Sequence, residues 1–380
     1  MRVAHVIYRY LPVLGGAEVY VHALREALAA VADGQTVYQA DLGAAGEGVV
    51  AVPVARRTGL KLVDFNLALA PLAREILAHD VVVVHNPEHL TRGLAGPRTV
   101  LLSHGATWTH EANLLRRWLR CRAMRGAFRR AGAVVANDTF VPRAMGLDVA
   151  PGSRLREEVA PGVWFVPNAV DTEAFRPATP GEATDAGGRL PAGGPVVLVP
   201  RNLTPPRGVD LAIAAFARAK ALPADARLAI AGDVIGDVPA SVAYRARLDA
   251  LVRALRLERR VLFLGNVPRE AMPRLFRAAA LTLVPTRASE GTSLAALESM
   301  ASATATVTTA VEGLLDLPGP HAAPEAAALA AALDAAWADR AALGARQRAA
   351  VERDFALPAW RDAWRGIVTA VAAGCGRGRR

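Results

Sequence analysis

Two glutamates eight positions apart stand almost alone as charges in an apolar stretch. The segment Leu281–Val307, LTLVPTRASEGTSLAALESMASATATV, carries only Arg287, Glu290 and Glu298 as charged residues, whereas the chain as a whole is 21% charged. A carboxylate in such surroundings is costly to bury unless something hydrogen-bonds it, and the hydroxyls of a sugar and a ribose can do so. The pattern predicts a strand over 281–284, a loop over 285–291 and a helix over 292–302. Glu290 then sits at the carboxyl end of a strand, where open α/β sheets bind ligands, and Glu298 lies nearly two turns into the helix. Gly291, Thr292 and Ser293 would leave backbone N–H groups free at the helix start, a ready site for a diphosphate. On the residues alone, Glu290 as a plain cap and Glu298 facing solvent account for the pattern equally well.

A second segment, Val196–Asp210 (VVLVPRNLTPPRGVD), ends a strand at Pro200 and sets Arg201 and Arg207 around a turn before a helix starting near Val209. Basic residues at a strand's carboxyl end suit a phosphate leaving group, although loop arginines are more often simply solvated. Near the amino terminus, Leu14-Gly15-Gly16-Ala17-Glu18 separates the first strand from the first helix, and glycines there let backbone approach a ligand. The dinucleotide fingerprint G-x-G-x-x-G is absent. His104 follows an apolar strand in Leu102-Ser103-His104-Gly105, and His85 and Asn86 end the preceding one.

The elements that must position these groups alternate. Val3–Tyr8, Val81–His85, Thr99–Ser103 and Ala133–Ala136 read as strands in the first half, with Ala17–Val31 as an amphipathic helix. Val196–Val199, Leu228–Ala231, Val261–Leu264 and Leu281–Val284 repeat the grammar in the second half. Continuous apolar runs between helical segments are the mark of a parallel sheet covered on both faces. Pro177–Gly194 is rich in Pro, Gly and Ala, and the domain boundary is expected near Pro167–Pro177. Alanine-rich helices fill Pro324–Ala350, and Phe355–Ala373 carries Trp360 and Trp364 four apart.

At 380 residues the chain is long enough for two ordinary domains. Its 52% apolar content marks it as globular, and no apolar run reaches the length of a membrane span. Met1-Arg2-Val3 leads directly into an apolar run, without a signal-peptide pattern. Cys121 and Cys375 lack metal-ligand spacing, which argues against a zinc site or a disulfide framework and fits a reducing compartment. The net charge of +10 attracts phosphate-bearing partners, or equally reflects a genome that favours arginine. Seven arginines crowd the helix expected around Trp118, Leu119 and Phe128. They scatter around its circumference, so a solvated helix ranks slightly ahead of one lying on an anionic membrane.

The form E-G-[TF]-[SG]-L-x-x-L-E-x-M-A, carried here by Glu290 to Ala301, resembles the signature of the family 4 retaining glycosyltransferases. The resemblance covers residues 1 to about 365 and is sharper in the second half. It implies the GT-B fold: two Rossmann-like, doubly wound α/β domains facing a cleft, with the C-terminal helix crossing back to the N-terminal domain. Residues 1–170 with 355–380 would form the acceptor-side domain, and 171–354 the nucleotide-sugar domain.

The family's first glutamate contacts the donor sugar and its second the ribose, roles that fall on Glu290 and Glu298. Gly291, Thr292, Ser293 and Leu294 would complete the donor loop. The family's G-R-L-x-x-x-K-G places Arg207 on its lysine but Asn202 on its arginine, with Arg201 one residue early. Gly15 and Gly16 match its G-G-A-E loop, His104 its acceptor-side H-[GD], and Gly232, Asn266 and Val267 the strand ends that pass donor and base. Pro167-Asn168-Ala169-Val170-Asp171 resembles P-N-G-V-D with Ala169 for glycine. Val311–Leu317 resembles V-G-G-x-x-[ED]-L, with Glu312 where the first glycine is usual. Ala303 and Ala305 replace the family's usual Gly and Pro.

These readings imply transfer of a hexosyl group from a UDP- or GDP-linked donor to a glycan or lipid-linked hydroxyl acceptor, with retention and without a metal or other cofactor. The setting would be bacterial glycan, lipopolysaccharide or glycolipid synthesis in the cytoplasm, with peripheral association at the inner membrane face left open. Glu290, Arg201, Arg207 and His104 would act on the reacting groups. A sugar-nucleotide epimerase of the same architecture and a degenerate relative that only binds nucleotide are the competing readings. A nicotinamide-dependent dehydrogenase lacks its glycine fingerprint, and a nucleic-acid-binding module has only charge in its favour.

Overall fold

Runs of valine, leucine and alanine with no charged residue are buried on both faces and become the central strands. The computed structural model describes residues 1–11, 16–44, 46–105, 113–152, 157–179, 182, 189–190, 193–234, 239–288 and 290–374. The fold divides into two units, Met1–Asn168 with Pro358–Arg380, and Ala169–Leu357.

The first unit is built on β1 (Arg2–Val6), β2 (Gly34–Ala40), β3 (Val49–Val52), β4 (Val81–His85), β5 (Thr99–Ser103), β6 (Ala133–Ala136), β7 (Glu158–Ala160) and β8 (Val163–Phe165). They form one sheet in the order β3-β2-β1-β4-β5-β6-β8-β7. All neighbours are parallel except β7 and β8. The order runs outward from β1 in both directions, as a doubly wound sheet requires. The last helix, Leu357–Ala372, packs on this unit: Trp364 is fully buried and its indole N–H donates to the Tyr20 hydroxyl at 2.8 Å.

The second unit repeats the plan with β9 (Val196–Val199), β10 (Arg227–Ala231), β11 (Val261–Gly265), β12 (Leu281–Val284), β13 (Thr306–Thr309) and β14 (His321–Ala322). These pair in parallel in the order β11-β10-β9-β12-β13-β14. Its core joins Val197, Val199, Ile213, Phe216, Leu228, Leu283 and Val307 from strands and flanking helices. Of the segment 177–194, Glu182 is held by Arg176 at 2.9 Å and Arg277 at 3.0 Å, and 180–181, 183–188 and 191–192 lie outside the described residues.

The predicted strands fall within a few residues of the observed ones, but polar strands are missing from the apolar reading. β2 (GQTVYQA) and β13 (TVTT) hide their polarity by internal bonding. Thr306 Oγ1 donates to Ser299 Oγ, and Thr308 Oγ1 pairs with His321 Nδ1 at 2.7 Å. A buried hydroxyl with a partner costs little, so the strand survives.

Two glycines allow the loops at the strand ends to meet. Gly208 has φ +68°, and a Cβ there would lie 1.9 Å from the Pro285 carbonyl oxygen. Gly232, at φ +154°, would bring a Cβ to 2.2 Å from the Arg201 carbonyl oxygen. Gly208→Ala combines left-handed strain with a backbone overlap, and should lower the stability of the second unit by about 2 kcal/mol or more in urea unfolding. Gly16→Ala, whose Cβ would meet nothing within 4 Å, should not destabilise the protein. Equal stability of Gly208→Ala and the parent would contradict this packing.

Candidate functional site

The carboxyl ends of β9 and β12 bring three charged side chains together. β9 hands the chain to Arg201, and the Pro205–Arg207 turn returns it to the helix Val209–Arg218. β12 hands it to the loop that carries Thr286 and Glu290. Arg201 Nη2 lies 3.4 Å from Glu290 Oε1, and Arg207 Nη1 donates to Glu290 Oε2. Thr286 Oγ1 donates to the same oxygen at 3.2 Å. Arg201 Nη2 also donates to Ser293 Oγ at 2.8 Å.

The electrostatics follow from burial against pairing. Burial opposes the Glu290 charge, but Arg201 and Arg207 together outweigh it and hold the carboxyl below its ordinary range. Burial lowers Arg201 to about 10, with Glu290 opposing the fall. Two guanidiniums on one carboxylate leave the cluster with an excess positive charge, and the buried Arg201 Nε has no partner. Such a group is expensive unless a ligand completes it.

Glu298 is different. It is buried in the helix Leu294–Ala301, and its nearest cation is Arg269 Nη1 at 3.5 Å, on a largely exposed side chain. Burial pushes its pKa up to about 7, with Arg269 only partly opposing.

The helix itself starts later than its sequence pattern suggests, at Leu294, with Ser293 as N-cap in extended geometry. The Ser293 hydroxyl accepts from Arg201 and makes no capping bond. Gly291 and Thr292 therefore belong to the loop, and the first-turn amides are those from Leu294 onward.

Arg201, and not Asn202, points into the site: Asn202 is exposed and Arg201 is buried. The backbone of this turn passes close to Gly232, where a Cβ would lie 2.2 Å from the Arg201 carbonyl oxygen and 2.8 Å from the Asn202 nitrogen. Asn266 is exposed and Val267 half-buried just after β11. Gly16 opens the helix Gly16–Leu28, whose Glu18 pairs with Arg9 at 2.7 Å, and Gly15 lies outside the described residues. Arg269, Thr286 and Glu312 are members that motif spacing does not reveal.

His104 belongs to the first unit, where it stacks on His85 with ring centroids 5.9 Å apart. Gln35 Nε2 donates to Arg25 O, so its Oε1 accepts from His5 Nε2, and His5 Nδ1 then accepts from His85 Nε2 at 3.1 Å. The His85 Nδ1 and His104 Nε2 atoms are buried without partners. Burial lowers His5 and His104 to about 4 and holds His85 well below the ordinary imidazole range, which keeps all three neutral.

Residues 182–351 match the family Glycosyl transferases group 1. That match lies within the second unit. Over 150 residues the chain is 35% identical to a D-inositol 3-phosphate glycosyltransferase of Acidothermus cellulolyticus, an alignment covering 39% of this chain. It spans about a third (33%) of the length of that curated relative. The fold as a whole matches sucrose-phosphate synthase from Thermosynechococcus elongatus, with a TM-score of 0.78, 20% identity and coverage of 97% and 99% of the two chains. It also matches the Anabaena protein HepE in complex with UDP-glucose, with a TM-score of 0.74, 17% identity and coverage of 97% and 100%. The architecture matches the GT-B fold of these structures, with two parallel-sheet units.

The raised Glu298 pKa predicts a pH signature in stability. The folded value near 7 exceeds the ordinary 4.5, so stability from the protonated form is full below pH 4.5 and is lost as pH rises to 7. Relative to Glu298→Gln, the parent should lose about 2–3 kcal/mol between pH 4.5 and 7.5. A difference that does not change with pH would place Glu298 in contact with water.

Proposed function

We propose that the protein is a metal-independent, retaining hexosyltransferase that takes its donor as a nucleoside diphosphate sugar. The observation that carries this reading is the buried Arg201, paired with Glu290 and Ser293 yet keeping an unpartnered Nε–H, at the end of β9. A diphosphate supplies the oxygens that such a donor lacks, and Arg207 and the first-turn amides of Leu294–Ala301 add positive potential. These groups are fixed before charge develops on the leaving diphosphate, so they lower the barrier without reorganising.

Glu290 is held ionised at the site and orients the sugar hydroxyls, and Glu298 accepts the ribose hydroxyls. The bond from the anomeric carbon to the phosphate oxygen breaks while the acceptor oxygen bonds to the same face. The acceptor proton passes to the phosphate oxygen that departs. No protein nucleophile is required by this route. UDP is the first choice of carrier and GDP the second. His104, neutral and with a free ring nitrogen, is a polar contact for the acceptor hydroxyl in the first unit.

The acceptor side also carries a surface for lipid. Helix Leu114–Arg130 carries seven arginines, of which Arg120 pairs with Glu88, and in its first two turns Leu114, Leu115, Trp118 and Leu119 cover one arc and are all exposed, Leu114 at 78%. Arg122, Arg125 and Arg129 continue that arc, so the helix face passes from apolar to cationic along its length. A groove of about 610 Å³ beside it is lined by Arg92, Arg122, Arg125, Arg129 and Arg130. Glu88 links this helix to Lys61–Leu69, through Arg120 at 3.4 Å and the Asn66 amide at 2.8 Å, and Leu62, Val63 and Leu67 of that helix are exposed too. Apolar residues beside arginines fit an anionic bilayer surface, which suits a lipid-linked acceptor met from the cytoplasmic side. No helix among the described residues is long and apolar enough to cross a membrane.

Three outcomes follow from this assignment. With a glycosyl donor and a sugar acceptor, proton NMR of the initial product should show the donor's anomeric configuration; inversion would contradict the mechanism. Transfer should persist in a chelator; abolition by chelator and rescue by magnesium would contradict the metal-free assignment. The protein should sediment with vesicles containing phosphatidylglycerol and not with pure phosphatidylcholine, and Trp118→Ser with Leu115→Ser should weaken binding at least about tenfold. Equal binding to both vesicles would contradict the docking surface.

A further inference from the structure

Glu312 stands where the family's usual residue is glycine, and the backbone shows why glycine would be easier: its φ is +44°, in the left-handed region. A bulky residue stays there only where its surroundings over-determine the conformation. The surroundings here are the backbone of Glu290. Glu312 Oε2 accepts the Glu290 backbone N–H at 2.9 Å, and the neighbouring Gly313 N–H donates to the Glu290 carbonyl at 3.0 Å. Both polar groups of the Glu290 residue are thus bonded by two successive residues following β13. The same segment grips the loop a second time, since Thr309 Oγ1 donates to the Thr286 carbonyl at 2.5 Å. Glu312 is itself buried, so its bond to a backbone N–H is shielded from water.

We propose that Glu312 is a positioning residue that holds the Glu290 main chain in register with Arg201 and Arg207, an inference that rests on Glu290 being the group that orients the donor sugar. Side-chain pairing alone leaves the loop free to pivot about the Glu290 Cα. The Glu312 clamp removes that freedom at the peptide. The departure from glycine exchanges an easy backbone for a fixed acidic acceptor, and what it fixes is the placement of the donor carboxylate. The carboxylate acts through Glu290 and need not touch the sugar.

The decisive comparison is Glu312→Gly against Glu312→Gln. Glycine relieves the left-handed backbone but deletes the acceptor, whereas glutamine keeps both the strain and an acceptor oxygen. Relief and loss offset one another, so the melting temperature of Glu312→Gly should stay within about 3 °C of the parent. Hydrogen exchange of the Glu290 amide should nevertheless speed up at least about tenfold in Glu312→Gly and by no more than about threefold in Glu312→Gln.

Calorimetry with UDP-glucose and GDP-mannose, each against its bare diphosphate, supplies the second readout. The extra affinity for the sugar-bearing donor should fall at least about fivefold in Glu312→Gly and return in Glu312→Gln, with diphosphate affinity unchanged. Unaltered exchange in Glu312→Gly, or faster exchange with undiminished sugar discrimination, would overturn the positioning role. Glu290→Gln separates the two ideas: if it binds sugar donors and bare diphosphates as the parent does, the donor role of Glu290 fails, while the amide exchange still reports on the clamp.

Discussion

One carboxylate held between two guanidiniums is the interaction on which the second unit's site depends. Burying Glu290 with Arg201 carries a desolvation cost that a pair of apolar side chains would avoid, so the cluster is a poor device for stability alone. Its geometry draws together loops that the fold would otherwise leave apart. Arg201 and Arg207 come from the end of β9, Glu290 and Ser293 from beyond β12, and Glu312 from beyond β13. Gly208 and Gly232 are the close-approach points that permit it, each carrying backbone where a Cβ would collide with a carbonyl oxygen.

The two glutamates of the motif show how environment divides like groups. Glu290 has two cations and stays ionised; Glu298, eight residues further on, has one largely exposed arginine and a pKa raised to about 7. Nothing in their spacing distinguishes them. The difference comes from which strand ends lie beside each, and those strands are remote in sequence. The same reasoning bears on the first unit, where three histidines are buried together and therefore neutral.

Much of the fold was legible because parallel strands buried on both faces are written as uninterrupted apolar runs: Val81–His85, Thr99–Ser103, Val196–Val199 and Leu281–Val284 have the predicted bounds. β13 was not, since its threonines look like loop until their hydroxyl partners are known. Within the site, the sequence marked Glu290, Arg201 and Arg207 as charges at strand ends, but not that they pair with one another. The choice between Arg201 and Asn202 was not legible either, because it depends on the path of the turn after β9, which buries Arg201 and exposes Asn202. The departures at Ala303 and Glu312 both fall at positive φ, +57° and +44°. A sequence pattern records that glycine is usual there, but only the backbone angle gives the reason, and only the Glu290 amide shows what Glu312 does with the position.

The central claim is that the Arg201–Glu290–Arg207 cluster receives a nucleoside diphosphate. The most direct measurement is calorimetric titration with UDP, GDP, ADP and NAD in the absence of metal, on the parent protein and on Arg201→Met. Selective binding of one nucleoside diphosphate, weakened at least about tenfold in Arg201→Met, is the predicted result. Preference for NAD, or diphosphate binding that Arg201→Met leaves unchanged, would contradict the account.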